Sequence, residues 1–168
     1  MPAVCPDIHL DLPYEAATRA LGAAIAPLVQ AGFVMYLYGD LGVGKTTLTR
    51  ALLRALGVTG TLRSPSYALL EPYNLPHLAG GTLHHFDFYR LEDTPHAWRD
   101  AGFETAFEPP HAAIVEWPQY AIGLPPAQLS LTLTHAGEAR HARIQGAASQ
   151  LNAIMQPIGQ LFQQGNSA

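Results

Sequence analysis

The sequence predicts an α/β fold, a three-layer sandwich around a mainly parallel central sheet, and three observations carry the prediction. Phe33-Val34-Met35-Tyr36-Leu37-Tyr38 is an unbroken apolar run of strand length, as expected of a strand buried on both faces. A glycine-rich loop follows it at once, and a helical pattern follows the loop. Ala112-Ala113-Ile114-Val115 is a second fully apolar run, bounded on its N-terminal side by the turn signal Pro109-Pro110.

Composition narrows the function. The 168 residues fit a single main domain, and at 48% hydrophobic they are globular rather than disordered. A net charge of −4 argues against a chain that grips nucleic acid by itself. The single Cys5 excludes a disulfide framework and a four-cysteine zinc site, and it suits a reducing compartment.

Along the chain, Ile8–Leu12 alternates apolar and polar residues and reads as a short edge strand. Pro13 opens a helical pattern to about Gln30, with Ala17, Ala20, Leu21, Ala24, Ile25 and Leu28 on one face, and Gly32 ends it. The uncharged stretch 20–39 is about long enough to span a bilayer, but Pro27, Gln30 and Gly32 interrupt it and its halves differ in period. It therefore reads as a helix and then a buried strand. The N-terminus lacks the basic and apolar segments of a secretory signal, so a cytoplasmic protein with no membrane contact is expected. Thr46–Leu56 reads as a second helix closed by Gly57. Tyr67–Leu70 and Thr82–Phe88 read as strands, separated by a loop at Asn74–Gly81. Thr94 is placed to cap a short helix reaching Trp98. Leu129–Thr134 and Ala139–Ile144 alternate around His135-Ala136-Gly137, a hairpin that should add antiparallel strands near the C-terminus. Beyond Gly146, the apolar residues Leu151, Ile154, Met155, Ile158, Leu161 and Phe162 recur at helical spacing around Pro157. The expected division is a nucleotide-binding domain over 1–146 and a helical tail over 147–168.

Gly39-Asp40-Leu41-Gly42-Val43-Gly44-Lys45-Thr46, followed by Thr47, fits G-x-x-x-x-G-K-[ST] without mismatch. At average residue usage such a string arises at about one position in 30,000, so chance is a poor explanation. Glycines let the backbone turn and bring its N–H groups close to phosphates, and the helix that follows points its positive end at the anion. Lys45 is the only lysine in the chain and stands where the motif needs a cation for the β- and γ-phosphates. The Thr46 hydroxyl is the expected Mg²⁺ ligand. The three-layer sandwich is thus of the P-loop NTPase type, with ATP and Mg²⁺ as expected cofactors. The nucleotide should lie outside the carboxyl ends of the strands. No base-reading motif distinguishes ATP from GTP.

Such a loop needs a carboxylate at the end of another strand. Asp87 and Glu116 each end a predicted strand. Glu116 follows the cleaner apolar run and is favoured on the Mg²⁺ side, with Asp87 positioning or deprotonating the attacking water; the exchanged assignment is the alternative. Ser64-Pro65-Ser66 lies where related NTPases sense the γ-phosphate, which makes Ser66 a candidate contact. Trp117 either packs or stacks on nucleotide. His84 and His85 are adjacent, point to opposite faces of a strand, and do not make a shared metal site.

Five strings stand in order: the phosphate loop Gly39–Thr47, Ser64-Pro65-Ser66-Tyr67, Glu71-Pro72-Tyr73, His85-Phe86-Asp87-Phe88-Tyr89-Arg90-Leu91, and Val115-Glu116-Trp117-Pro118. Together they resemble the TsaE (YjeE) family of bacterial P-loop ATPases over about residues 8–145. The resemblance implies a role in threonylcarbamoyladenosine formation next to the tRNA anticodon. It implies an ATPase that acts on the TsaB–TsaD pair rather than transferring the group. Hydrolysis should be slow alone, because no in-cis arginine finger is assigned, with Arg63 and Arg90 as candidates. The acidic balance with a single lysine leaves tRNA to be met only indirectly, through the partner proteins. The resemblance maps the family's functional lysine and threonine to Lys45 and Thr46, its acids to Asp87 and Glu116, and its tryptophan to Trp117. Ser66 stands where the family usually has threonine and keeps the hydroxyl. The tail has no counterpart in the resemblance. Two other readings share the phosphate loop: a small-molecule kinase, for which Leu91–Phe107 with its one arginine is thin lid material, and a nucleotide-dependent binding module without significant catalysis.

Overall fold

The computed structural model describes residues 6–65 and 67–164. Seven strands form one sheet: β1 (Asp7–Leu12), β2 (Val34–Tyr38), β3 (Leu70–Asn74), β4 (Thr82–Asp87), β5 (Ala112–Glu116), β6 (Leu129–Ala136) and β7 (Ala139–Gly146). Their order is β1-β7-β6-β2-β5-β4-β3. The four inner strands β6, β2, β5 and β4 run parallel, while β7, β1 and β3 are antiparallel additions at the two sides. The expected sandwich with a mainly parallel centre is observed.

Parity along the strands sorts the core into two layers. Met35 and Leu37 of β2, Ile114 of β5 and Leu129, Leu131 and Leu133 of β6 face α1 (Glu15–Ile25), α2 (Lys45–Ala55) and α4 (Ala148–Gln164). Val34 and Tyr36, Phe86, and Ala113 and Val115 face the other way, against Trp98 of α3 (Ala97–Asp100) and Phe107 of a 3₁₀ turn. This opposite pointing of successive side chains explains why β2 and β5 read as continuous apolar runs. Leu151, Ile154 and Ile158 of α4 are buried in the first layer, and α4 runs through Pro157.

Helices α1 and α2 touch at Gly22, where a Cβ would stand 2.3 Å from the Leu48 carbonyl oxygen. No side chain fits between these backbones.

Several boundaries differ from the sequence reading. α1 stops at Ile25 and tightens into a 3₁₀ turn over Ala26–Leu28, because Pro27 has no N–H to donate to Ala23. The strand expected at Tyr67–Leu70 instead starts at Leu70 and reaches Asn74. Its span is set by pairing, Leu70 opposite Phe86 and Asn74 opposite Thr82, and Leu69 at φ 60° breaks the extended chain just before it. Pro72 is tolerated because β3 is an edge strand. The short helix begins at Ala97, with His96 at its N-terminal boundary and no side-chain cap; Thr94 contributes its carbonyl, which accepts the Ala97 N–H at 3.0 Å. The loop expected at Asn74–Gly81 contains a 3₁₀ turn over Pro76–Leu78.

Candidate nucleotide site

The loop from Gly39 to Gly44 joins the carboxyl end of β2 to the N-terminus of α2. Gly39 has φ 135°, and a Cβ there would stand 2.4 Å from the Leu133 carbonyl oxygen, so β6 presses against the start of the loop. Val43 is fully buried, and its carbonyl accepts the Arg140 Nε–H at 2.9 Å. The same guanidinium donates through Nη1 to the carbonyls of Glu138 and Ala139, both at 2.8 Å. The loop is therefore anchored from the β6–β7 hairpin. Asp40, Leu41 and Gly42 form its exposed crest.

Lys45 and Thr46 open α2. The Lys45 side chain is 4% exposed, and its ammonium donates to the carbonyls of Gly39 at 2.7 Å and Asp40 at 2.8 Å. Nζ also lies 4.1 Å from the centroid of the Trp117 ring. Burial pulls the ammonium below the usual lysine range, opposed by the negative charges of Glu116, Asp87 and Asp40.

Glu116 ends β5 beneath Thr46 and is 2% exposed. Both its carboxylate oxygens accept from the Thr46 hydroxyl, Oε2 at 3.1 Å and Oε1 at 3.2 Å. Asp87 ends β4 directly beside it, since Asp87 pairs with Glu116 in the parallel register. Asp87 is 7% exposed, and its Oδ1 accepts the Tyr89 N–H at 3.0 Å. The two acids thus stand side by side at the ends of neighbouring strands.

Trp117 adopts φ 58°, ψ 47°, a left-handed conformation unusual for a bulky residue. Its N–H donates to the Leu37 carbonyl at 3.2 Å, and its ring is stacked 5.5 Å from Tyr120 and tilted 5.0 Å from Tyr89. The turn reverses the chain at the strand end and sets the ring under the Lys45 ammonium. The Trp117 ring thus meets two tyrosines and the lysine cation.

Lys45, Thr46, Asp87, Glu116 and Trp117 are therefore brought together with the loop. Thr47 lines a cavity of about 290 Å³ together with Tyr14, Thr18, Gly42, Glu138 and Arg140. Ser66 lies outside the described residues. Sequence reasoning missed the Arg140 anchor, the Tyr89–Tyr120 platform and His85, whose Nε2–H donates to Glu116 Oε1 at 2.8 Å. The signal for His85 was present: residues two apart on a strand share a face, so His85 and Asp87 point the same way.

Thr46 and Glu116 form a hard oxygen donor set, which fits Mg²⁺. Among the described residues, no group of three or more His, Cys, Asp or Glu side chains could hold a metal ion. A cation here would thus share few protein ligands with phosphate oxygens, the usual Mg²⁺ arrangement. Among the described residues, no helix is long and apolar enough to cross a membrane.

A parallel sheet whose central strand runs through a Gly-x-x-x-x-Gly-Lys-Thr loop into a helix defines the P-loop NTPase fold. Within that class, the family model for "Threonylcarbamoyl adenosine biosynthesis protein TsaE" matches residues 12–144, and the chain belongs to this family. Similar proteins include the tRNA threonylcarbamoyladenosine biosynthesis protein TsaE of Haemophilus influenzae, 38% identical over 66% of this chain and 68% of that one. The protein of the same name from Bacillus subtilis is 34% identical over 72% and 73%. The crystal structure of Bacillus subtilis YdiB shares the fold, with a TM-score of 0.72 at 23% identity, over 94% of this chain and 97% of that one.

Proposed function

We propose that this chain is an Mg²⁺-dependent ATPase serving threonylcarbamoyladenosine formation on tRNA in the cytoplasm. It acts on the TsaB–TsaD pair, with tRNA met only through those partners. The observation that carries the proposal is the contact of the phosphate-loop hydroxyl of Thr46 with the strand-end carboxylate of Glu116, inside a chain of the TsaE family. Residues 1–146 are read as the ATPase unit, with α4 in the following segment closing its core.

The backbone N–H groups of the loop cradle the phosphates, and Lys45 exchanges its loop-carbonyl partners for phosphate oxygens. Thr46 and Glu116 would hold Mg²⁺; their direct contact favours Glu116 over Asp87 for this role. The bound cation would neutralise charge on the β- and γ-phosphates. Asp87, beside Glu116 and held through the Tyr89 N–H, orients the attacking water. The cavity beside Thr47 offers room for the nucleoside. The kinase reading draws little support: Leu91, Trp98 and Phe107 are buried core, and Arg99 is engaged with the Gly123 carbonyl and Glu104.

The test is phosphate release from ATP by the purified chain, alone and with its own TsaB and TsaD. Slow release that the pair strongly stimulates is expected. Nucleotide-dependent binding of the pair without stimulated release would replace the ATPase with a switch module.

A further inference from the structure

The P-loop motif assigns no task to His85, yet the side chain is 1% exposed and meets Glu116. An ionised carboxylate accepts only, so the contact between Nε2 and Glu116 Oε1 requires the imidazole to carry its hydrogen on Nε2. The Thr46 hydroxyl holds the same carboxylate from α2. Glu116 is thus gripped by a hydroxyl from one element and an imidazole from another.

The other ring nitrogen makes the placement informative. Nδ1 of His85 is buried and has no hydrogen-bond partner among the described residues. A buried unmatched nitrogen is unfavourable, and the neighbouring positions on this face hold Leu83 and Ile114. An apolar side chain would suit those neighbours without leaving a nitrogen unmatched. Among the described residues, the one compensating hydrogen bond of the ring is that to Glu116.

We propose that His85 is a positioning residue for the cation site: its Nε2–H fixes the plane of the Glu116 carboxylate against the Thr46 hydroxyl. This rests on the reading that Thr46 and Glu116 hold Mg²⁺ with the nucleotide. In this role the imidazole acts through Glu116, the group it meets, rather than as a ligand itself. The logic is that of outer partners that orient metal-ligating groups, whose removal weakens metal affinity or activity by about 10–100-fold.

The experiment measures ADP affinity by calorimetry, in Mg²⁺ and in EDTA, for the wild type, His85→Leu and His85→Gln, with thermal melts as a check of folding. The wild type should bind more tightly in Mg²⁺. In His85→Leu the affinity in EDTA should stay within about twofold, while the gain from Mg²⁺ shrinks by about 10-fold or more. Gln carries an amide N–H near the place of Nε2, so His85→Gln should recover most of the gain. If His85→Leu does not fold, His85→Asn replaces it, since the shorter amide stands near Nδ1 and should fail where Gln succeeds. A folded His85→Leu, or His85→Asn in its place, with the full Mg²⁺ gain overturns the inference and leaves the cation site standing. So does an equal loss in the Gln variant, which would mean the donor is not what matters. A wild type with no Mg²⁺ gain overturns the cation-site reading itself, and the inference with it.

Discussion

Replacing Lys45 with methionine should separate two roles that the buried ammonium combines. The side chain makes two charge-assisted hydrogen bonds to loop carbonyls and sits over the Trp117 ring. Such hydrogen bonds are worth about 1.5–3 kcal/mol each, and a desolvated cation–π contact about 2 kcal/mol. Against them stands the desolvation of a 4% exposed ammonium, which costs several kcal/mol. The lowered proton affinity of Lys45 indicates that burial outweighs the nearby carboxylates. Methionine fills the same volume with no charge to desolvate. The opposing contributions nearly cancel, so folding stability should change by no more than about 2 kcal/mol. Nucleotide affinity has no such compensation. A unit charge about 4 Å from a phosphate charge is worth about 4 kcal/mol at an effective dielectric near 20. After the usual losses, about 2–3 kcal/mol should disappear, a rise of roughly 30–150-fold in the ADP dissociation constant. Urea unfolding and calorimetry on Lys45→Met check the two halves. Wild-type ADP affinity would refute the phosphate-binding role, and a loss of about 5 kcal/mol in stability would refute the cancellation. The sign of the pH effect is also set. A folded-state pKa below the ordinary lysine value means that the unfolded chain binds the proton more tightly, so this group adds stability as pH rises toward about 10.5. Lys45→Met should lack that alkaline gain relative to the wild type.

Three further predictions address other parts of the molecule. Gly22→Ala, which in most helices stabilises by about 1 kcal/mol, should here destabilise by about 1–3 kcal/mol in a urea melt, because the new Cβ meets the Leu48 carbonyl oxygen; a rise in stability would show that α1 and α2 can separate freely. His84, whose buried ring nitrogens have no hydrogen-bond partner among the described residues and whose pKa burial lowers to about 4, should lose folding stability for the protein as pH falls from about 6.5 to 4, with a slope approaching 1.4 kcal/mol per pH unit. In His84→Phe, which keeps the packing on Phe86, that acid sensitivity should flatten, and an unchanged acid profile would exclude His84 as its source. Glu116→Gln should reduce the Mg²⁺ dependence of ADP binding, whereas Asp87→Asn should leave binding intact and slow hydrolysis by about 10²–10⁴-fold; the reverse pattern would exchange the two acids.

Much of the fold is legible because its strongest signals are local. The apolar runs of β2 and β5, the alternation in β6 and β7, and the glycine-rich loop each specify a short backbone state without reference to distant residues. The elements read least well are those that pairing or tight contact defines. β3 has no alternation of its own and takes its span from β4, and Thr94 turns the chain with its carbonyl rather than its hydroxyl. The site divides the same way. Lys45, Thr46, Asp87 and Glu116 stand at motif positions or strand ends. The Arg140 anchor lies almost one hundred residues from the loop it holds, and no local pattern could announce it.

The amino-acid order by itself determined the phosphate loop, the two strand-end acids and the mainly parallel sheet, since each follows from backbone preferences and hydrophobic period within a few residues. Tertiary structure alone decided which acid meets Thr46. Parallel pairing of β4 with β5 sets Asp87 and Glu116 side by side, and the packing of α2 across that face brings the hydroxyl to Glu116. The same strand pairing carries His85 to the Glu116 carboxylate, and the same helix packing sets the Lys45 ammonium over Trp117. These contacts join residues tens of positions apart in the chain, and they exist only because burying the apolar faces of the sheet and helices fixes one register among many.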